Sequence, residues 1–299
     1  MHVLHLTRDF PPAHCGGITT AVAGLVRALA SLGLRASVVS LERRRGLDDD
    51  RALALDWVSA TRIGDADDGA NAARRLLRGD RADLVHLHEP TLGDAAVALA
   101  RAHDAPLITT IHVDYGELAA RRGLSPAPLG LLRQQRVMRR ADRIVVPSAS
   151  AADGLRQREP EVADRVVVVP HGVDVGEGSP ICSEREALVV YIGRFDDTKG
   201  TQDFVEAVTQ VLAGRPQARA IVAGGLPSHP RMERRWRRRW DDGLATAAAV
   251  RDRIEVTGWL QTEAIDELLD RAGVVAIPSR YETFGMVALE AMARAAPIV

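Results

Sequence analysis

Among the 299 residues there is a single lysine, Lys199, so all the other positions counted in the 39 Lys+Arg are arginine. Arginine is this chain's default cation, and a lysine at one position marks a departure from that default. Cysteine is almost as scarce, with only Cys15 and Cys182. That excludes a disulfide framework and points to a reducing, cytoplasmic setting. A basic excess is also missing: the formal net charge of -1 argues against nucleic acid as a general partner. No apolar run reaches the roughly 18 residues expected of a membrane span. The opening Met1-His2-Val3-Leu4-His5-Leu6 is strand-like and meets Arg8 and Asp9 at once, unlike a signal peptide.

With 46% hydrophobic and 26% charged residues, the chain has the material for two cored domains. Short β-branched runs alternate with helical patterns throughout. In the first half, Val3 to Leu6 reads as a buried strand, residues 10 to 18 as a Pro/Gly loop, Thr19 to Leu32 as an amphipathic helix stopped by Gly33, and Ala36 to Leu41 as the next strand. Further strands are expected at Val58, Leu84 to Leu87, Leu107 to Ile111, Ile144 to Pro147 and Val166 to Val169. In the second half they fall at 188 to 193, 219 to 223, 254 to 258 and 273 to 278. This rhythm predicts an α/β fold of two Rossmann-like, doubly wound parallel-sheet domains facing a cleft. The boundaries are 1–172, a Gly-, Pro- and acid-rich linker at 173–186, and 187–299.

Two motifs carry chemistry. The first runs from Ile277-Pro278-Ser279-Arg280-Tyr281-Glu282-Thr283-Phe284-Gly285 into a helical pattern holding Glu290. It reads as strand, sharp turn, then a helix beginning near Thr283 to Gly285. Unpaired first-turn amides and the helix dipole suit an anion such as a diphosphate, and Gly285 lets it approach. Glu290, eight residues after Glu282, is placed about two turns deeper on nearly the same face. A carboxylate is a poor phosphate ligand but a good acceptor for two sugar hydroxyls, so Glu290 reads as a ribose clamp and Glu282 as a contact near a transferred group. Taken alone, the spacing also fits a helix with a favourable first-turn Glu and an unrelated surface Glu. The second motif is Leu188-Val189-Val190-Tyr191-Ile192-Gly193, followed by Arg194, Asp196, Asp197, Thr198, Lys199 and Gly200. A compact ammonium and a planar guanidinium just past a strand end can together neutralise a diphosphate without metal, the alternative being a solvated loop.

These residues resemble the family 4, group 1 retaining glycosyltransferases of GT-B fold, nearly end to end. Gly193-Arg194 with Lys199-Gly200 is similar to the family's diphosphate grip, and Glu282 to Glu290 to its E-x7-E signature. Val168 to Asp174 is similar to the turn into the interdomain linker, with His171 where Asn is usual; Ala223-Gly224-Gly225 is similar to a later turn that Leu226 interrupts. The resemblance implies a nucleotide diphosphate sugar as donor substrate, with no further cofactor and no metal. It also implies transfer of a hexosyl-type group to an acceptor hydroxyl with retention of configuration. The acceptor, whether a sugar, a lipid-linked sugar or a small molecule, is not legible. On the same basis Gly16 and Gly17 resemble the N-terminal Gly-Gly loop that touches donor phosphates or acceptor, and His112 the cleft histidine beside the donor sugar. Catalytic roles thus fall to Arg194, Lys199, Glu282 and His112. Donor binding falls to Gly16, Gly17, Gly193, Thr283, Phe284, Gly285 and Glu290. The family continues beyond the strand that Pro297-Ile298-Val299 begins, so a truncated second domain is expected. A non-catalytic nucleotide-sugar-binding remnant and a GT-B sugar-nucleotide epimerase are the alternative functions.

Three features stand outside that scheme. His86, His88 and His112 at strand ends suggest a zinc site only by residue type, and His86 and His88 are read as packing or acceptor-wall residues on one strand face. Cys15 has no evident base beside it and reads as a bystander thiol. The run Arg231 to Trp240 suits either a basic face for an anionic membrane or partner, or a solvated helix with Trp236 and Trp240 packed inward. The second is preferred, and peripheral membrane contact is not favoured.

Overall fold

The structure is a computed structural model and describes residues 1–11, 16–41, 53–55, 58–63, 68–125, 128–175, 185–225, 230–245 and 248–299. Cys15, Cys182, Leu226 and most of the expected linker lie outside the described residues. The chain divides into two compact units, Met1–Gly172 and Val173–Val299.

The first unit is built on an eight-stranded sheet of β1 (His2–Thr7), β2 (Arg35–Leu41), β3 (Leu53–Leu55), β4 (Val58–Ile63), β5 (Leu84–Leu87), β6 (Leu107–Thr110), β7 (Arg143–Val146) and β8 (Val166–Val168). Its order is β3-β4-β2-β1-β5-β6-β7-β8. Every pairing is parallel except β3 with β4, which is antiparallel. That edge strand corrects the all-parallel expectation; three residues are too few to show a period of two in the sequence. Helices α1 (Gly17–Ser31), α2 (Gly69–Leu77), α3 (Gly93–His103), α4 (Tyr115–Arg122), α5 (Leu129–Met138) and α6 (Ala149–Arg158) supply the crossovers. Because side chains alternate along a strand, Val38 joins Phe10, Val22 and Val26 in one apolar cluster while Val39 joins Leu4, Leu6 and Leu87 in another. The sheet is therefore buried on both faces, as parallel sheets require.

The second unit carries β9 (Leu188–Gly193), β10 (Arg219–Gly224), β11 (Ile254–Gly258) and β12 (Val274–Ala276), all parallel, in the order β11-β10-β9-β12. Helices α7 (Thr201–Gly214), α8 (Pro230–Ala245), α9 (Thr262–Arg271) and α10 (Met286–Ala293) connect and follow them. Val275 also forms a parallel bridge to Ile298, with the Val299 N–H donating to the Val275 carbonyl at 3.0 Å. The chain leaves β9 toward β10 and returns to its other side at β12, so the loops after β9 and β12 emerge side by side at a topological switch point.

Helix α8 settles the arginine-rich run. Trp236 and Trp240 are buried against Tyr191, Phe195 and Phe204, whereas Arg231, Arg234, Arg235, Arg238 and Arg239 line an open surface depression of about 450 Å³. The tryptophans pack inward and the arginines are solvated.

Candidate functional site

Strand β9 delivers Arg194 at its carboxyl end, and the backbone that follows is fixed from below. The Tyr191 side chain is fully buried, and its hydroxyl lies 3.1 Å from the Arg194 carbonyl, 3.0 Å from the Thr201 hydroxyl and 3.4 Å from the Lys199 carbonyl. Burial pushes the phenol well above its ordinary range, so it stays protonated and able to donate. Asp196 caps the turn: its carboxylate accepts the Thr198 N–H at 2.9 Å, the Lys199 N–H at 3.1 Å and the Thr198 hydroxyl, and lies 3.3 Å from the Arg194 guanidinium. Gly200 then takes a left-handed φ of 62° and starts α7. Tyr191 and Asp196 were not among the expected site residues. Tyr191 reads as one more buried strand position, and only the fold shows its hydroxyl beneath the loop.

The loop after β12 docks on this turn. The Thr198 carbonyl accepts the N–H groups of Arg280 at 2.8 Å and Tyr281 at 3.1 Å. The Lys199 ammonium pairs with the Glu282 carboxylate, and the Ser279 hydroxyl donates to the same carboxylate oxygen at 2.9 Å. The Arg280 guanidinium grips Asp203 of α7 with two bonds, of 2.8 and 2.6 Å. Lys199 and Glu282, 83 positions apart, are thus brought into one constellation.

Glu290 is placed differently from expectation. Helix α10 starts at Met286, because Gly285 before it has φ 94°, which a right-handed helix cannot include. Residues 282–285 are therefore not helical, and Glu290 lies little more than one turn inside the helix instead of two turns beyond Glu282. Thr283 and Phe284 belong to the non-helical approach, and the Gly285 carbonyl accepts the Leu289 N–H at 3.2 Å. Burial, and secondarily the nearby Asp266 carboxylate, push the Glu290 carboxyl from 4.5 up to about 7. The folded chain consequently binds more protons than the unfolded chain between those two values. Stability attributable to this group falls as pH rises through that window, and the loss is complete above it. Glu290→Gln, uncharged throughout, is expected to exceed the parent in stability at about pH 8 by on the order of 2 kcal/mol and to match it near pH 5. Urea unfolding at the two pH values checks this; an advantage that is the same at both would contradict it.

In the first unit, Gly16 adopts φ 94° as the residue before α1, and its carbonyl accepts the Thr19 N–H at 2.9 Å. Gly17 is the first residue of that helix. His112 follows β6, is buried, and stacks on His171 with ring centres 5.1 Å apart. Its Nε2 lies 3.1 Å from His88 Nδ1, and His88 Nε2 lies 3.1 Å from His5 Nδ1. His86, whose ring is 4.1 Å from that of His88, places Nε2 at 2.8 Å from the Thr110 hydroxyl. Burial pushes His86 down to about 4 and holds His5, His88 and His112 well below the ordinary imidazole range. His5 was missed as a member of this group. The signal was available once β1 and β5 are paired in parallel, since His5 then faces His86 in register.

A family model for Glycosyltransferase Family 4 matches residues 15–177, over half of the chain, and one for Glycosyl transferases group 1 matches residues 180–299. The chain belongs to this glycosyltransferase family. Glycogen synthase of Mycobacterium tuberculosis is 27% identical over all of this chain and 77% of its own length. A D-inositol 3-phosphate glycosyltransferase of Kineococcus radiotolerans is 31% identical over 73% of this chain, a match that spans only 53% of the relative. Among solved structures, sucrose-phosphate synthase of Thermosynechococcus elongatus superposes with a TM-score of 0.77 at 20% identity, covering all of this chain and 80% of the other. An Anabaena protein, HepE, in complex with UDP and glucose gives 0.70 at 16% identity, with 100% and 80% covered. At these identities the structural likeness concerns the fold, which is GT-B: two parallel-sheet α/β units. No helix among the described residues is long and apolar enough to cross a membrane.

Proposed function

We propose that this group 1 glycosyltransferase moves a hexosyl group from a nucleotide diphosphate sugar to an acceptor hydroxyl with retention of configuration. The observation that carries the reading is the junction of the two switch-point loops, where the sole lysine meets Glu282 beside Arg194 and the approach to α10. In this reading the bond between the sugar's anomeric carbon and the phosphate oxygen breaks, its electron pair passes to the diphosphate, and the acceptor oxygen bonds to the same face of the sugar as its proton passes to the departing phosphate oxygen. Arg194 and Lys199 are the cations that stabilise the growing negative charge, with the backbone amides of Phe284 and Gly285 adding dipoles. A diphosphate competes with Glu282 for the Lys199 ammonium, which frees the Glu282 carboxylate for the transferred sugar. Gly193 and Thr283 keep the backbone close to the phosphates. Glu290 accepts from the ribose hydroxyls, and ionises on doing so because those bonds favour the charged carboxylate. The first unit's proposed contributions are His112 toward the donor sugar and the Gly16–Gly17 turn toward phosphate or acceptor. The chemistry assigned to these residues calls for no metal, and the near absence of cysteine fits work in the cytoplasm.

The test is a panel of UDP, GDP, ADP and TDP followed by turnover of the matching labelled donor. One diphosphate is expected to raise Tm by several degrees at a hundredfold excess over its Kd, and NMR of the product should show the donor's anomeric configuration. Absence of any shift across the panel would remove the donor class, and an inverted product would remove retention.

A further inference from the structure

Inward packing of Trp236 and Trp240 accounts for how α8 is held, but not for what its outer face carries. Arg231, Arg234, Arg235, Arg238 and Arg239 recur there at helical spacing, and from first to last they run about 12 Å along the axis at 1.5 Å per residue. Positions three or four apart are neighbours on a helix, so Arg231 is set beside Arg234 and Arg235, and both of these beside Arg238. Like charges so placed oppose helix formation. Arg231 also stands in the first turn, where the helix dipole disfavours a cation.

Little in the protein offsets that charge. Arg239 reaches Asp197 at 3.9 Å and lies over the Trp236 ring at 4.8 Å, and on the flank Arg237 is tied to Glu233 at 3.2 Å. Arg231, Arg234, Arg235 and Arg238 have no carboxylate within ion-pair distance among the described residues, although Asp241 and Asp242 follow Arg238 by three and four positions. Arginines elsewhere are matched, Arg280 with Asp203, Arg294 with Asp266 and Asp270, and Arg158 with Asp114 and Glu117. Helix α8 instead collects unmatched guanidinium groups around an open depression of about 450 Å³.

We propose that this face of α8 is a binding site for a soluble ligand carrying two or more phosphate groups. A phosphate presents three oxygens and up to two charges, so two guanidinium forks can grip one group, and four unmatched arginines suit two. A flat anionic bilayer is the poorer fit: a helix lying in a membrane interface turns its tryptophans to the lipid, and here both are buried in the unit's own core. The site uses none of the residues assigned to the donor, so it stands or falls apart from the proposed transfer.

Calorimetric titration of the full chain with inorganic tripolyphosphate, at fixed ionic strength and without divalent cations, tests the site. Saturable binding is expected; it should weaken more than about tenfold in Arg234→Gln/Arg235→Gln/Arg238→Gln and persist in Lys199→Ala. No binding to the parent, or binding that the triple substitution leaves intact, overturns the proposal. Binding that disappears in Lys199→Ala overturns it too, since the anion is then at the donor turn. The triple variant should fold, because it removes like-charge neighbours from exposed positions; Arg235→Glu, a single exposed change, reads the same loss if it does not. Vesicles of phosphatidylglycerol and phosphatidylcholine should leave the parent in the supernatant. Sedimentation of the parent with them, but not of the triple variant, would assign the face to a membrane and remove the soluble ligand.

Discussion

Lys199→Ala is expected to lower kcat for glycosyl transfer by about two to three orders of magnitude while KM for the donor changes far less. The ammonium's proposed work is on charge that develops in the departing diphosphate, and loss of one such preorganised donor carries that penalty. The local structure should survive the change, because the turn is held by Asp196, by the Tyr191 hydroxyl and by the Thr198 carbonyl, none of which depends on the lysine side chain. Lys199→Arg is not a conservative control. A guanidinium is longer and planar, and Ser279 and Glu282 are arranged around a compact ammonium. Steady-state kinetics decide the case: a Lys199→Ala protein turning over within about threefold of the parent would rule out the leaving-group role.

Gly200→Ala should be strongly destabilising. Gly200 sits at φ 62°, and a Cβ built there falls 1.9 Å from the Pro278 carbonyl oxygen. The obstacle is backbone, so no rotamer change relieves it. Left-handed strain and forced separation of the two loops together cost on the order of 3 kcal/mol or more, which corresponds to a Tm lower by roughly 10 °C. Gly214→Ala is the matched control: it lies at the end of α7, and nothing stands within 4 Å of the added carbon. It should be neutral or slightly stabilising. If Gly200→Ala melted with Gly214→Ala, the close approach of the loops would be wrong.

The reach of the sequence differs between elements for physical reasons. Strands β1, β2, β5, β9 and β10 were legible because burial on both faces leaves continuous apolar runs bounded by turns. The edge strand β3 was not, since Leu53–Leu55 is defined by its antiparallel partner and not by any pattern of its own. Lys199 stood out by composition, and its place after a strand end was a sufficient guide to the turn. The Glu282–Glu290 interval looks like two helical turns in sequence but is not, because Gly285, at φ 94°, sets the helix start at Met286 and leaves residues 282–285 outside it. Tyr191 and His5 are a different kind of omission. Each has an ordinary place in a strand pattern, and each acquires its role only from what tertiary pairing puts next to it, the 194–199 turn for one and His86 with His88 for the other.

The ion pair between Lys199 and Glu282 also has a chemical consequence. Lys199 carries the one lysine ε-amine among the 299 residues, so side-chain acylation by an amine-directed reagent has a single target among them. The Lys199 side chain is 22% exposed and tied to a carboxylate. Acylation there should therefore be slow, and its rate reports, without any engineered label, on whether anything is seated over the switch-point turn.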